Sequence, residues 1–544
     1  MGIPIVVGVT GHRDLRERDL PQLRELVTAE LKKLTAQYPH SDFVLLDSLA
    51  AGADALCAEA ALALGMTLVC PLPLPAREYR RDFSESEAAV FDALLKRAGD
   101  VFAAPAAELL PEDPSRDFYY RQAGIYVASH SHVLLALWDG APAQPGGCGT
   151  AETVDFMLRG DFDGGGFRAA NDGAVIHIPT PRQADAADAP LMLRLLENEK
   201  GSLRDVLRRT DEFNADEKSA GAAAGDALLP EAILSRADGR IKKLHGLYRS
   251  ADRLALRCRQ RYLRAMRWFS AFGVLLVACF LLYDELECNL FLLCYGALIL
   301  TYALAFAFVR KGRAHEKYLQ YRVLSETLRA QFYLTAAGLC DNAGGCFTWT
   351  QKQEVTWVKE AVTALLIGKP AAAAASDAAV KEAWIDGQLA YHRRAQGRDA
   401  GKHRLRERVS GCLLAASVAL FALVLALEFF RAPAMAAPVF GGRFPALFLH
   451  HPEQSFALRS LMKILLGGVS AVAVFLTNYY GKLSFERKSA DHERMAALYA
   501  CAKERFESGK ADNKALMRAL AREEIIENGN WFSYCKENPP SFSV

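Results

Sequence analysis

The sequence predicts an α/β domain built on a doubly wound parallel sheet, followed by an all-α membrane module of four transmembrane helices with cytoplasmic helical extensions. Two observations predict it. Near the amino terminus, strand-length apolar runs each lead through a short loop into a helical pattern, the rhythm of a parallel sheet covered by helices. After residue 265, four long apolar blocks stand out in a chain that is 51% hydrophobic yet 24% charged, so its apolar excess is concentrated there. At 544 residues the chain exceeds one ordinary core and needs two or more domains.

Ile3 to Val9 reads as the first buried strand, and Thr10-Gly11-His12-Arg13 follows before an amphipathic helix from about Leu20 to Tyr38. Phe43 to Leu46 is the second strand, from which Ser48-Leu49-Ala50-Ala51-Gly52-Ala53-Asp54 turns into a helix carrying Leu56, Ala60 and Leu64. A third strand precedes the segment Pro73 to Phe83, which brings Arg77, Tyr79, Arg80, Arg81 and Asp82 toward the same sheet end. Val133 to Leu137 is again a buried strand; Pro145-Gly146-Gly147-Cys148-Gly149-Thr150-Ala151-Glu152-Thr153 then leads into a helix. Val175 to Pro179 is the last strand. The three glycines of that run let backbone approach an anion without Cβ interference, and Thr150 opens a helix whose N–H groups and dipole face the same point. A plain turn and helix cap would show the same glycines. In a doubly wound sheet, however, loops at the carboxyl ends of neighbouring strands converge on one ligand crevice, so three such loops together predict an anion site.

Charge is nearly balanced, 65 Lys+Arg against 63 Asp+Glu, which argues against a nucleic-acid polymer as partner. Twelve cysteines show no CxxC pair or metal spacing, so reduced thiols and no metal are expected. Met1-Gly2-Ile3-Pro4 opens the first strand without a basic segment and cleavable apolar run, so no signal peptide is expected, and Val6 stands where a myristoylation site needs Ser or Thr.

The four apolar blocks run from Trp268 to Tyr283, Leu290 to Val309, Ser410 to Phe430 and about Leu461 to Tyr480. Each is roughly long enough for a ~30 Å hydrocarbon core, the first and last with Arg267 and Lys463 snorkelling. Basic residues flank them on one side: Arg257, Arg259, Arg261, Arg264 and Arg267; Arg310, Lys311 and Arg313; Arg404, Arg406 and Arg408; Lys482, Arg487 and Lys488. Asp284, Glu285 and Glu287 occupy the first hairpin. The positive-inside rule then predicts a multi-pass protein of the inner (cytoplasmic) membrane with both termini cytoplasmic. Gly411 with Ala415, and Gly467 with Ala471, are small-residue pairs suited to close helix packing, within a protomer or in a homo-oligomer. Ala314-His315-Glu316-Lys317-Tyr318 after the second block and Asp491-His492-Glu493-Arg494-Met495 after the fourth suggest an internal duplication. The expected organisation is a ligand-binding domain over 1–182, a helical linker over 183–264, a transmembrane hairpin with its cytoplasmic helix over 265–345, a helical connector over 346–409, and the second hairpin with C-terminal helices over 410–544.

Residues 1–182 resemble the SLOG superfamily, which includes the lonely-guy phosphoribohydrolases and the Smf DNA-processing proteins. The segments that carry the resemblance are Gly8 to Arg13, Ser48 to Asp54, Leu72-Pro73-Leu74-Pro75 with Tyr79 and Asp82-Phe83, Leu137-Trp138-Asp139-Gly140, and Pro145 to Thr150. The membrane half is similar, more loosely, to helical modules that accompany such domains in bacterial conflict systems. The resemblance implies a Rossmann-like domain that takes a nucleotide or nucleotide-derived ligand. Catalytic lonely-guy members carry Pro-Gly-Gly-x-Gly-Thr-x-x-Glu, whose Glu serves glycosidic-bond cleavage. Thr153 holds that position here, and Glu152 lies one residue earlier, about 100° around the helix.

Gly146, Gly147, Gly149 and Thr150 are therefore the candidate phosphate contacts, with Glu152 beside them. Thr10, Gly11, His12 and Arg13 suit phosphate or ribose, Arg13 through its guanidinium fork, and His12 equally suits a cap of the next helix. Ser48, Gly52 and Asp54 suit a ribose or base edge, although Asp54 also suits a helix N-terminus. Tyr79 suits stacking on a base and Asp82 a sugar hydroxyl. Two functions follow as expectations. One is a membrane-anchored sensor-effector that binds a nucleotide-derived second messenger, without a catalytic residue, and responds through its spans by oligomerisation and membrane permeabilisation in antiviral defence. The alternative is a membrane-anchored phosphoribohydrolase or nucleotide glycohydrolase using Glu152.

Overall fold

A computed structural model describes residues 2–143, 147–159, 173–184, 191–197, 203–221, 227–430, 433–439, 456–483, 485–510 and 512–538. The chain divides into two compact units: Met1–Leu254, Gln320–Val380 and Asp512–Tyr534 form the first, and Ala255–Leu319, Lys381–Ala511 and Cys535–Val544 the second.

The first unit is built on a seven-stranded sheet: β1 (Ile5–Gly11), β2 (Phe43–Leu46), β3 (Thr67–Leu72), β4 (Asp100–Ala103), β5 (Val133–Trp138), β6 (Ala174–Pro179) and β7 (Arg194–Glu197), in the order β4-β3-β2-β1-β5-β6-β7. All neighbours pair in parallel except β7, which runs antiparallel to β6. The helices are α1 (Leu20–Gln37), α2 (Ala53–Ala63), α3 (Ala76–Tyr79), α4 (Glu85–Leu95), α5 (Arg116–His130) and α6 (Thr150–Arg159). Strand side chains alternate between faces, and both faces are dry: Ile5, Val7 and Val9 of β1 join one core with Leu23 and Leu31 of α1 and Leu56 of α2, while Val6 joins the other with Ile125 of α5 and Met157 of α6. That double burial makes the central strands continuous apolar runs. β1 is flanked by β2 on one side and β5 on the other, so strand order reverses there and opens the switch point of the sheet.

β7 comes from the stretch 183–264 that the sequence suggests is helical linker. It is a four-residue edge strand with only Leu196 half-buried, too short and too exposed to show an apolar run. The first unit also draws in later segments, because their apolar faces are buried within it: Trp357, Val358, Ala361 and Val362 of the helix Thr356–Leu365, and Met517, Leu520, Ile525 and Phe532 of the helix Asn513–Glu537. Asn214, on the helix Leu203–Ala220, bonds both the N–H and the C=O of Ile3 (2.8 Å each), holding the chain just ahead of β1.

Among the described residues, four helices are long and apolar enough to cross a membrane, Gly239–Leu286, Asn289–Ala336, Asp377–Phe429 and Leu458–Glu507, and the apolar blocks predicted from the sequence fall in the second unit. Only 22%, 0%, 0% and 11% of their apolar windows are buried, which leaves apolar surface suited to lipid. Phe475 fills the notch over Gly273 and Leu281 that over Gly467, so two of the helices interlock at glycine, whereas nothing lies near Gly411. Glu428 pairs with Arg459 (2.6 Å) and Lys463 with Glu285 (3.0 Å), partners for the charges that interrupt the apolar blocks. Of the Pro-rich segment 431–460, Ala446 to Leu449 lies outside the described residues.

Candidate functional site

Four loops meet at the carboxyl ends of β1, β2, β3 and β5. Gly11 ends β1 where a Cβ would sit 2.3 Å from Ala53 Cβ and 2.8 Å from the Leu137 carbonyl, so no other residue lets β1, β5 and α2 approach this closely. His12 then locks the junction. Its N–H donates to Leu137 O (2.9 Å), its C=O accepts from Ala53 N–H (3.0 Å), and its Nε2 accepts from the Asp139 N–H (3.0 Å). Burial and the Arg182 guanidinium hold the imidazole below its ordinary value, leaving it neutral at pH 7 and Nε2 able to accept. His12 is 4% exposed and acts as a pin between loops, not as a cap of α1. Thr10 is the half-buried penultimate residue of β1.

Arg13, exposed, lies over the Tyr120 ring (5.1 Å), and its charge reaches Asp54. Tyr120 donates its hydroxyl to Asp82, which also takes Arg116 Nη2 (2.6 Å). Partial burial is outweighed by these two bonds, and the Asp82 carboxyl stays below its ordinary value. Tyr79 is placed otherwise than the sequence suggests. It is 1% exposed, packed edge-on against Phe83 (4.9 Å), Phe91 (5.7 Å) and Tyr120 (5.8 Å), so no ring face is open to a base. It seats α3 on the core and backs Tyr120.

At the β2 end, Ser48 Oγ donates to Pro71 O (3.0 Å) and ties the loop to β3. Gly52 has φ 77° and faces the carbonyls of His12 and Arg13, a conformation and a clearance that only glycine accepts. Asp54, in the first turn of α2, is 5% exposed and accepts the Ala50 N–H (3.1 Å); Asp47, fully buried, is its hydrogen-bonding neighbour. Burial and the adjacent Asp54 push the Asp47 carboxyl well up, and burial lifts Asp54 to about 7 against the Ala50 bond and the Arg13 charge.

Pro145 and Gly146 lie outside the described residues. Gly147, Gly149 and Thr150 lead into α6, where the N–H groups of Thr150 and Ala151 head the helix. Glu152 accepts the Gly149 N–H (3.0 Å) and is 9% exposed; Thr153 Oγ1 donates to Gly149 O (3.2 Å) and fills the notch over Gly124 of α5. Both side chains thus secure the start of α6.

Side chains from α5 complete the crevice. Arg121 donates to Gly147 O (3.3 Å), forms a two-toothed pair with Glu108 (3.1 and 3.2 Å) and lies over the Phe156 ring (4.8 Å). Asp117 hydrogen-bonds the Cys148 thiol, which burial and that carboxylate push up. Asp139 holds Arg182 (3.4 Å) and the Ala141 N–H (2.9 Å). Asp47, Tyr120 and Arg121 were not among the residues the sequence singles out. Asp117, Tyr120 and Arg121 do share the i, i+3, i+4 spacing of one helix face ahead of β5, which is the signal that would have found them. At the other end of the sheet, His132 Nδ1 accepts the Val6 N–H (3.0 Å) and His130 stacks on Tyr126, so both are structural.

The fold and site define a Rossmann-like α/β domain with a strand-end crevice joined to a four-helix apolar module. No protein-family model matches the chain, and neither does any curated protein. Among the described residues, no group of three or more His, Cys, Asp or Glu side chains is placed to hold a metal ion.

Proposed function

We propose that the protein is a membrane-anchored sensor-effector whose SLOG-like domain binds a nucleotide-derived second messenger and whose transmembrane helices respond by oligomerising and permeabilising the inner membrane, as part of antiviral defence. The observation that carries the reading is the convergence of Arg13, Arg121, the Gly147–Thr150 turn and the α6 N-terminus at the switch point of a parallel sheet. Two guanidinium groups, backbone N–H donors and a helix dipole at one crevice suit a phosphate-bearing ligand. Glu152 is committed to the Gly149 N–H, and Thr153 occupies the position of the family's catalytic Glu, which favours binding over turnover. The chain passes from unit to unit inside helices, at 254/255 and 319/320, and the reading requires these connections to carry the ligand's effect to the spans. A ligand drives such a change only by binding one state better than the other.

The test is calorimetric titration of the full chain in nanodiscs with cyclic oligonucleotides and ADP-ribose derivatives, alongside dye release from liposomes carrying the protein. Binding that persists in both Arg13→Ala and Gly147→Asp overturns the assigned crevice, and release of free base by the wild type restores the hydrolase reading.

A further inference from the structure

The floor of the crevice holds a polar arrangement that anion binding alone does not explain. Asp47, at the carboxyl end of β2, is fully buried; Oδ1 takes the Leu49 N–H (2.7 Å), while Oδ2, also buried, meets no donor. Its neighbour is the Asp54 carboxyl, whose Oδ2 already accepts the Ala50 N–H. Ionised carboxylates only accept hydrogen bonds, and two of them buried side by side repel. One proton on the pair supplies the missing donor and removes one of the two charges. The connecting loop is bent into unusual backbone to make this contact: Leu49, a bulky residue, sits at φ 55°, and Gly52 at φ 77°. The titratable groups facing the pair are Arg13 from the β1 loop, Cys57 on α2, Cys70 on β3 and Tyr79 on α3, with Tyr120 of α5 behind Tyr79. Arg13 is the cation of this set.

We propose that Asp47 and Asp54 share one proton in the ligand-free protein above neutral pH, and that an anionic ligand group engaging Arg13 draws a second proton onto them, so that the crevice takes up phosphate-bearing ligands together with H⁺. The proposal rests on the anion-binding reading above. Its balance is simple: a proton from solvent takes the pair from one negative charge to none, and the ligand's charge replaces it beside Arg13. Arg13 favours ionised Asp54; an anion that compensates Arg13 removes that support. Asp54, lifted to about 7 by burial, rises further when ligand is bound. Below about pH 6 the ligand-free pair already holds both protons and affinity is flat. As pH rises through 7 the ligand-free pair loses one, and affinity falls by up to about tenfold per pH unit until the ligand-bound pair also titrates.

Infrared difference spectra of the full chain in nanodiscs read the pair directly through the protonated-carboxyl C=O band. At about pH 8 the wild type shows this band and Asp47→Asn lacks it; a second component titrates near neutrality, is missing in Asp54→Asn, and moves up by about one pH unit or more in Arg13→Gln while Arg13→Lys restores it. No protonated carboxyl at pH 8, or an unmoved midpoint in Arg13→Gln with folding intact by circular dichroism, overturns the proposal. With pyrophosphate as probe, calorimetry in buffers of different ionisation heat should record about half a proton taken up per ligand near pH 8 and close to none near pH 6. Pyrophosphate binding without uptake at pH 8 overturns the coupling, whereas no pyrophosphate binding at all overturns the anion-crevice reading and leaves the band and the Arg13 shift to stand by themselves.

Discussion

Gly52→Ala tests whether the loops meet as closely as the crevice requires. The new Cβ would lie 2.4 Å from the Arg13 carbonyl and 2.6 Å from that of His12, both backbone atoms that cannot rotate away. The backbone at φ 77°, ψ −114° is also one that side-chain-bearing residues avoid. The conformational strain costs about 1–3 kcal/mol, and overpacking adds about 1–3 kcal/mol. Gly65 separates the two contributions, because it has the same φ of 77° but nothing within 4 Å, so Gly65→Ala carries only the strain, about 1–2 kcal/mol. Gly345, with open space and no positive φ, is the neutral control. Thermal unfolding of the full chain in detergent, followed by tryptophan fluorescence at one scan rate, should rank the variants Gly345→Ala, Gly65→Ala and Gly52→Ala in order of falling midpoint, with Gly52→Ala lower by several degrees than Gly65→Ala. Binding of any crevice ligand should fall with Gly52→Ala and not with Gly65→Ala. A Gly52→Ala midpoint equal to that of Gly65→Ala would refute the close approach of the β1 and β2 loops.

Glu152→Gln keeps an acceptor for the Gly149 N–H and should leave both stability and ligand binding near wild type, while Glu152→Ala loses the cap and about 1 kcal/mol in unfolding experiments; a wild-type hydrolase activity abolished by Glu152→Gln would contradict the sensor reading. Arg121→Ala removes the Gly147 contact and one of the two guanidinium groups assigned to the proposed crevice, and calorimetry should show about 10- to 100-fold weaker ligand binding; unchanged affinity removes Arg121 from the site. Asp54 has a raised carboxyl, so the folded state binds more protons than the unfolded one between about pH 4 and pH 7; its stabilisation is complete below pH 4 and lost as pH rises through 7. Asp54→Asn should therefore flatten the fall in unfolding midpoint across that window, and an unaltered slope refutes the assignment. Single-cysteine variants test the topology: a membrane-impermeant maleimide should reach Cys340 and Cys501 only after the membrane is opened and should leave Cys294 and Cys412, on the apolar helices, unlabelled until detergent is added. Labelling of Cys340 in intact cells reverses the orientation.

The strands that flank the switch point were legible because burial on both faces leaves an unbroken apolar run, as in Ile5 to Val9 and Val133 to Leu137, whereas β7, exposed along an edge, carries no such signal. Glycines were legible for a related reason: Gly11 and Gly52 stand where backbone must approach backbone, and that need selects one residue type. Polar residues were harder. Tyr79 sits where a crevice rim is expected, yet Phe83 and Phe91 close over it; a sequence shows that an aromatic is near an edge, not which side of its ring is covered. Asp47 reads as the polar end of a strand, and only the fold reveals that its free oxygen is sealed against a second carboxyl seven residues on.

The same distinction separates what a glycine loop can say from what a crevice does. Glycine reports permission, a place where an anion's approach is sterically allowed. Selectivity and response come from groups whose charge the fold alters, and those are set by burial across elements distant in sequence. Arg13 is where the two meet: it follows the glycine that lets β1 reach β5, it lies over the Tyr120 ring, and its charge acts on Asp54. A cation shared between a bound anion and a buried acid cannot serve both fully, so a ligand that claims it is expected to change the protonation of the floor. The strength of that exchange, read as protons taken up per ligand bound, is therefore the most direct measure of whether this crevice senses anions or merely accommodates them.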